Sequence, residues 1–181
     1  MNIVKVLWGV RAAFYKLKFK EIGLPSYIGK PTYISNKANI TCGKKVRIYP
    51  GMRAEIGKDK NSQLIIGDNV SIGQNFHVVS QGSTLIIGND VTVAGNVFIT
   101  NCDHDYKGPH KSILENKLIM RNTEIGDSCF LGNNVAILAG TKLGRGCIVG
   151  ANSVIRGEFS AYSVIVGVPG KIISTYTKES K

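Results

Sequence analysis

Aliphatic residues recur at every sixth position through the second half of the chain, at Ile125, Leu131, Ile137, Leu143, Val149 and Ile155. Gly follows in four of these six units, as Gly126, Gly132, Gly144 and Gly150. A helix repeats its buried face about every 3.6 residues and a strand about every two, so neither explains the period. A period of six requires short strands separated by turns, with each coil of the chain stacked on the last. Three strands complete one triangular coil, its aliphatic residues inward and Gly or another small residue at the corners. The fold class expected is all-β: a left-handed parallel β-helix.

The spacing is looser earlier on. Ile28, Ile34, Ile40 and Val46 keep it, then Ile66 and Ile72, then Ile87, Val93 and Ile99. Slips over Met52 to Leu64 and around Ser80 to Ser83 predict bulges or small loops at a corner. The largest break falls between Ile99 and Ile125, where 103–122 carry no sixfold pattern but include Gly108 and Pro109. An excursion loop is expected there, with His104 at its root, and loops leaving a rigid stack are where function is carried. After Ile155 the repeat decays through VIVGVPGKII, and the polar tail from Ser174 to Lys181 is expected to be mobile.

Ahead of the repeats, Ile3 to about Lys20 read as a helix, because Ile3, Leu7, Val10, Phe14 and Leu17 share one face. Gly23 and Pro25 stop it. Lys5, Lys16 and Lys20 form a basic stripe, and Trp8, Tyr15 and Phe19 a second, aromatic face. Two apolar faces need two surfaces. Either one docks on the β-helix and the other on a neighbouring subunit, or the basic and aromatic side lies on a membrane interface. The chain thus divides into a basic amphipathic helix (1–24), the β-helix (25–173) and a polar tail (174–181).

At 181 residues the chain suits one domain. Lys and Arg number 23 against 12 acidic residues, a formal charge of +11, so partners are expected to be anionic. Acyl-CoA phosphates, an anionic membrane and a lipid-pyrophosphate-linked glycan all qualify. Nucleic acid is not expected, since no helix-turn-helix, zinc-finger or RRM-like pattern is present. Cys42, Cys102, Cys129 and Cys147 form no CxxC pair and read as reduced thiols. No apolar run reaches the ~18 residues of a membrane span. Lys5 and Arg11 interrupt the N-terminal apolar run and no small-residue cleavage site follows, so a cytoplasmic protein is expected, at most peripheral to the membrane.

Three stretches carry a more specific signal: TNCDHDY at Thr100–Tyr106, IGDSCFLGNNVAILAG from Ile125, and VGANSVIRG followed by VGVPGKII. In these the chain resembles the hexapeptide-repeat acyltransferases from near Ile28 to Lys171, and among them the sugar, capsule and lipopolysaccharide O-acetyltransferases of galactoside and maltose acetyltransferase type. The resemblance implies acetyl-CoA as cosubstrate, no metal, and a homotrimer with active sites between subunits. It places the general base at His104, whose ordinary pKa of about 6.5 suits removal of a hydroxyl proton. Asp103 or Asp105 would orient the imidazole, Asp105 being preferred. The Asn133 N–H, after Gly132, would stabilise the oxyanion, with Ala151 leaving room for the pantetheine arm and Arg156 and Lys171 meeting CoA phosphates. Phe130 stands where Trp is frequent, and Gly157 where Lys is common.

His77 in IGQNFHVVS reads as an acceptor contact, with Asn75 and Tyr106 as weaker ones; His110 reads as solvated. Three His also keep open a zinc enzyme of γ-carbonic anhydrase type, and N-acetylation of an amino sugar or a non-catalytic solenoid remain further readings. No Gly-rich phosphate loop supports a nucleotidyltransferase domain. No short motif names the acceptor or the length of the acyl group.

Overall fold

A chain that stacks coil on coil must meet the same hydrogen-bonding partners at a fixed interval along its length. In the computed structural model, which describes residues 3–177, the backbone visits three parallel sheets in rotation. Sheet A takes Glu21–Ile22, Ile40–Cys42, Gln63–Ile66, Thr84–Ile87, Thr123–Ile125, Lys142–Leu143 and Glu158–Phe159. Sheet B takes Tyr27–Ile28, Arg47–Ile48, Ser71–Ile72, Thr92–Val93, Phe130–Leu131, Ile148–Val149 and Ser163–Gly167. Sheet C takes Tyr33–Ile34, Arg53–Ile56, His77–Ser80, Phe98–Thr100, Ala136–Ile137 and Val154–Ile155. This is the three-sided β-helix that the sixfold period predicts.

The register turns inward positions into columns. In sheet B, Ile28, Ile48, Ile72, Val93, Leu131, Val149 and Ile165 stand one above another. None is more than 2 % exposed. β-Branched residues suit this role, since their restricted χ1 fits a pleated strand and each meets like neighbours above and below. Burying each contributes roughly 1.5–3 kcal/mol. All four cysteines are free thiols, and burial pushes that of Cys42 up to about 12.

At the corners, glycine and asparagine divide two tasks. The Gly after the aliphatic residue is there for space: a Cβ on Gly132 would stand 2.7 Å from the Ala151 backbone nitrogen. The left-handed turn comes two residues later and falls on Asn69, Asn75, Asn96, Asn134 and Asn152, with φ of 55–60°. Asn tolerates that conformation because its short amide bonds locally. Here the amides also link coils, Asn75 Nδ2 donating to Asn96 Oδ1 and Asn134 Nδ2 to Asn152 Oδ1, both at 3.0 Å.

The expected phase slips share one edge, where sheet C hands over to sheet A. Residues 57–62, 81–83 and 101–122 all leave the stack there. Beneath that edge runs a column of polar side chains, Ser62, Ser80, Asn101, Thr123 and Thr141, none more than 1 % exposed. Every buried side-chain polar atom among the described residues has a hydrogen-bond partner, so the edge is specified by bonding rather than by apolar contact.

Both ends differ from expectation. Helix α1 (Ile3–Tyr15) stops short of Lys20, although the N–H groups of Lys16, Leu17 and Lys18 still bond three residues back. Its aromatic side faces the protein. Tyr15 and Phe19 stack at 4.8 Å and are buried, Ala12 is buried, and Trp8 meets Tyr49 edge-on at 5.4 Å. The aliphatic side of Ile3, Leu7, Val10, Phe14 and Leu17 is exposed. The aromatic face is therefore spent on the fold, where its larger area buries more, and is not available to a membrane.

At the other end the repeat does not decay after Ile155. Glu158–Phe159 and Ser163–Gly167 extend sheets A and B by a further coil, and Gly170–Thr175 folds back antiparallel on the last strand of sheet B. The Tyr176 hydroxyl donates to the Gly146 carbonyl at 2.5 Å. The expected tail is thus ordered through Tyr176, because an uncovered sheet edge gains from one more strand; Lys178 to Lys181 lie outside the described residues.

Cavity formation in the column should dominate stability. Ile72→Ala is expected to lower the free energy of unfolding by about 2–5 kcal/mol, against within about 0.5 kcal/mol for outward-facing Thr92→Ala. Urea unfolding of both variants measures the contrast, and equal losses would contradict the packing described.

Candidate active site

The excursion over 101–122 is tied at both ends before it carries anything. Buried Asn101 accepts from the Gln81 N–H at 2.8 Å and donates to the Ser83 carbonyl at 2.9 Å. On return, the Thr123 hydroxyl donates to the Thr100 carbonyl at 2.8 Å. Between these knots the chain forms an antiparallel ribbon, Cys102–His104 against Leu118–Met120, with His104 opposite Leu118. The expected loop is thus a built hairpin, and it holds His104 out from the edge between sheets C and A.

Neither carboxylate expected to orient His104 does so within the chain. Asp103 receives Arg156 Nη2 on both oxygens at 2.9 Å. Asp105 accepts from the Lys107 N–H at 3.0 Å, an ordinary turn-closing bond. The His104 imidazole is exposed and bonds to no described residue. Arg156, expected to be free for a CoA phosphate, already has a partner, and its charge fixes the hairpin root. Tyr106 is exposed with Lys107 over its ring, and His110 lies 3.7 Å from Glu115.

A second constellation lies on the outer face of sheet C. Tyr33, Arg53, His77 and Phe98 stand in register on four successive coils. Glu55 Oε1 accepts from Arg53 Nε at 2.7 Å and meets His77 Nε2 at 2.8 Å. The Arg53 hydrogen bond, followed by that of His77, holds the Glu55 carboxyl below the usual carboxylate range. An ionised carboxylate can only accept, so the proton of this bond belongs to His77 Nε2, and the ring is oriented by it. Burial pushes the Cys102 thiol up, against the Thr100 hydrogen bond, and the charges of Asp103 and Glu55 add to the rise. Sequence reading singled out His77 but not Glu55, since 22 residues separate the pair. Only knowledge of the coil length could have joined them.

The opposite edge, between sheets B and C, carries Gly132, Asn133 and Ala151. The side chain of Asn133 caps the Gly95 N–H in the coil below at 2.8 Å. In the coil above, the corresponding place holds Ala151, whose side chain offers no acceptor. The Asn133 N–H bonds to no described residue, and Ala151 is exposed beside it. Asn75, on the same edge, takes the left-handed corner turn and donates its Nδ2 to Asn96 Oδ1. Lys171 is exposed on the C-terminal strand opposite Val166.

His104 and Asn133 therefore occupy different edges of the prism. From Gly95, capped by Asn133, to Asn101 at the hairpin root is one full side of the triangle, roughly 20 Å of extended chain at about 3.3 Å per residue.

Residues 122–157 match the bacterial transferase hexapeptide model (six repeats), and residues 63–101 the hexapeptide repeat of succinyl-transferase. Over 161 residues the chain is 37% identical to an Escherichia coli K12 protein provisionally assigned as the lipopolysaccharide biosynthesis O-acetyl transferase WbbJ, covering 83% of this chain and 79% of that one. The chain belongs to the hexapeptide-repeat acyltransferases. The same fold is seen in a point variant of AntD, an N-acyltransferase from Bacillus cereus solved with dTDP and coenzyme A, at a TM-score of 0.80 and 18% identity over 92% of this chain and 89% of that one. It is seen also in galactoside acetyltransferase in complex with coenzyme A, at 0.66 and 22% over 94% and 76%. Among the described residues of this acyltransferase, no three His, Cys, Asp or Glu side chains gather as a metal-ion site.

If the Asp103–Arg156 pair fixes the hairpin root, Arg156→Met should speed amide hydrogen exchange across 102–120 while leaving the columns protected. Global stability should fall by less than about 1 kcal/mol, since the pair is exposed. Unchanged exchange in the hairpin would contradict this role. Glu55→Gln should cost stability near neutral pH, and that cost should fade as the pH falls below the ordinary carboxylate value of about 4.3, vanishing only below the depressed value of the folded state, because the pairing contributes only while the group is ionised. Urea titrations at several pH values measure that convergence.

Proposed function

We propose that this acyltransferase moves the acetyl group of acetyl-CoA to a sugar hydroxyl of a cell-surface glycan, by direct attack and as a homotrimer with three sites between subunits. The observation that carries the reading is the separation of an exposed imidazole on one edge from an unbonded backbone N–H on another. A protomer cannot bring its own pair together, whereas a threefold arrangement sets the His104 edge of one prism against the Asn133 edge of the next. The O-acetyl transferase assignment of the Escherichia coli relative supports the choice of hydroxyl and glycan.

His104 takes the hydroxyl proton as the oxygen attacks the thioester carbonyl carbon. The Asn133 N–H of the adjoining subunit donates to the oxygen as it becomes an oxyanion. Collapse breaks the C–S bond, and the thiolate of CoA recovers the proton from His104, so no group stays on the enzyme. Ala151 leaves the Asn133 N–H uncapped and gives the pantetheine arm a path. Lys171 offers its charge to the CoA phosphates, while Arg156 serves chiefly by holding Asp103. The His77–Glu55 dyad, with Tyr106, grips the acceptor. We place the reaction in the cytoplasm, where acetyl-CoA is made.

Release of CoA thiol against a panel of mono- and oligosaccharides tests these roles. His104→Ala is expected to lower kcat by about 10²–10⁴ without weakening acetyl-CoA binding. Ala151→Asn, which would cap the Asn133 N–H, is expected to lower kcat/KM by about 10²–10³. His77→Ala should raise the acceptor KM and change kcat by less than tenfold. Full activity in His104→Ala with loss in His77→Ala would move the base to the dyad.

A further inference from the structure

Neither the fold nor the proposed site uses the outward face of α1. A helix packed on a protein ordinarily turns its apolar stripe inward and its charges out. This helix turns its aromatic residues inward and still carries a second apolar stripe outside. At about 100° per residue, Ile3, Val6, Leu7, Val10, Phe14 and Leu17 fall on the side opposite buried Ala12 and Tyr15, and they are 39–84 % exposed. Lys16 lies beyond one side of that stripe and Lys18 along the other, both exposed, whereas Lys5 turns to the docked side beside Trp8 and Tyr49 and Arg11 is held by the first coil. Lys18 Nζ lies 4.8 Å from the centre of the Phe14 ring, its stem lying along the apolar surface. From Ile3 to Lys20 there are five basic residues and no acidic one.

We propose that α1 docks the protein on an anionic lipid surface, with the aliphatic stripe at the boundary of headgroups and acyl chains and the flanking cations on headgroup phosphates. The charge pattern selects this occupant. A second copy pairing through the same face would crowd two sets of cations round one apolar patch with no acidic counterpart, whereas a bilayer supplies phosphate on both sides of a half-sunk helix. No helix among the described residues is long and apolar enough to cross a membrane, so the contact is peripheral. The helix sits at the first coil, where Arg11 Nη1 donates to the Ile28 carbonyl at 2.8 Å. On the proposed trimer, three such faces would lie at one end of the assembly and reinforce one another. A glycan carried on a lipid would then be met at the surface that holds it.

Flotation of the full-length protein with phosphatidylcholine vesicles, with and without phosphatidylglycerol, tests the docking. The protein is expected to float with the phosphatidylglycerol vesicles and to bind pure phosphatidylcholine at least tenfold more weakly. Val10→Asp, on the exposed stripe, should reduce binding at least tenfold with melting temperature and oligomeric state unchanged, and Lys16→Glu with Lys18→Glu should reduce it to a similar degree. The proposal is overturned if wild-type protein does not float with anionic vesicles, or if Val10→Asp floats equally. It is overturned too if Val10→Asp dissociates the oligomer, which would give the stripe to a second copy. Flotation needs no substrate, so its failure would leave acyl transfer standing, and an inactive protein would leave docking testable.

Discussion

Neighbouring coils must lie about 4.8 Å apart, the spacing of hydrogen-bonded strands, and this single distance governs the rest of the molecule. It demands one inward aliphatic residue per side per coil, hence the columns of Ile, Val and Leu. It leaves no volume above the following residue, hence Gly132 beneath Ala151. It also forbids any insertion along a side, because an extra residue there would break pairing with two coils at once. Insertions are therefore driven to a corner. All three use the same one, where the polar column from Ser62 to Thr141 can absorb a departing chain without leaving a buried group unpaired.

The candidate site follows from two interruptions of that order. At one edge the chain leaves the stack for a full hairpin, and Asp103 with Arg156 pins the point of departure. At another, the Asn133 side chain caps the Gly95 N–H of the coil below, Ala151 in the coil above offers no such acceptor, and the Asn133 N–H is left over. A rigid stack is a good place for such a donor, since it cannot relax to find another partner and so stays oriented towards whatever enters the groove. The same rigidity keeps the two interruptions a prism's width apart, which is why the proposed chemistry calls for two chains.

Much of this was legible in the residues. The period of six specified the coil, and the aliphatic positions in the repeats from Ile28 to Ile155 proved to be the inward ones. The 103–122 break did mark the excursion. What the sequence hid were pairings between coils. Glu55 and His77, or Asp103 and Arg156, stand 22 and 53 residues apart, and only the stacking brings them together. The bond from the Asn75 amide to Asn96 in the coil above was hidden for the same reason. In α1 the wheel showed two apolar faces but could not rank them, and the docked face is the aromatic one, with more area to bury.

Subunit complementation tests the central claim, a site shared between chains, most directly. Chains carrying His104→Ala and chains carrying Ala151→Trp would each be inactive alone, and equal co-assembly would restore about a quarter of wild-type activity, the fraction of interfaces that pair an intact His104 with an intact Ala151. That recovery is the predicted result. Mixed assemblies with no activity, alongside inactive parents that still assemble, would contradict the account, since they would mean that both groups must come from the same chain.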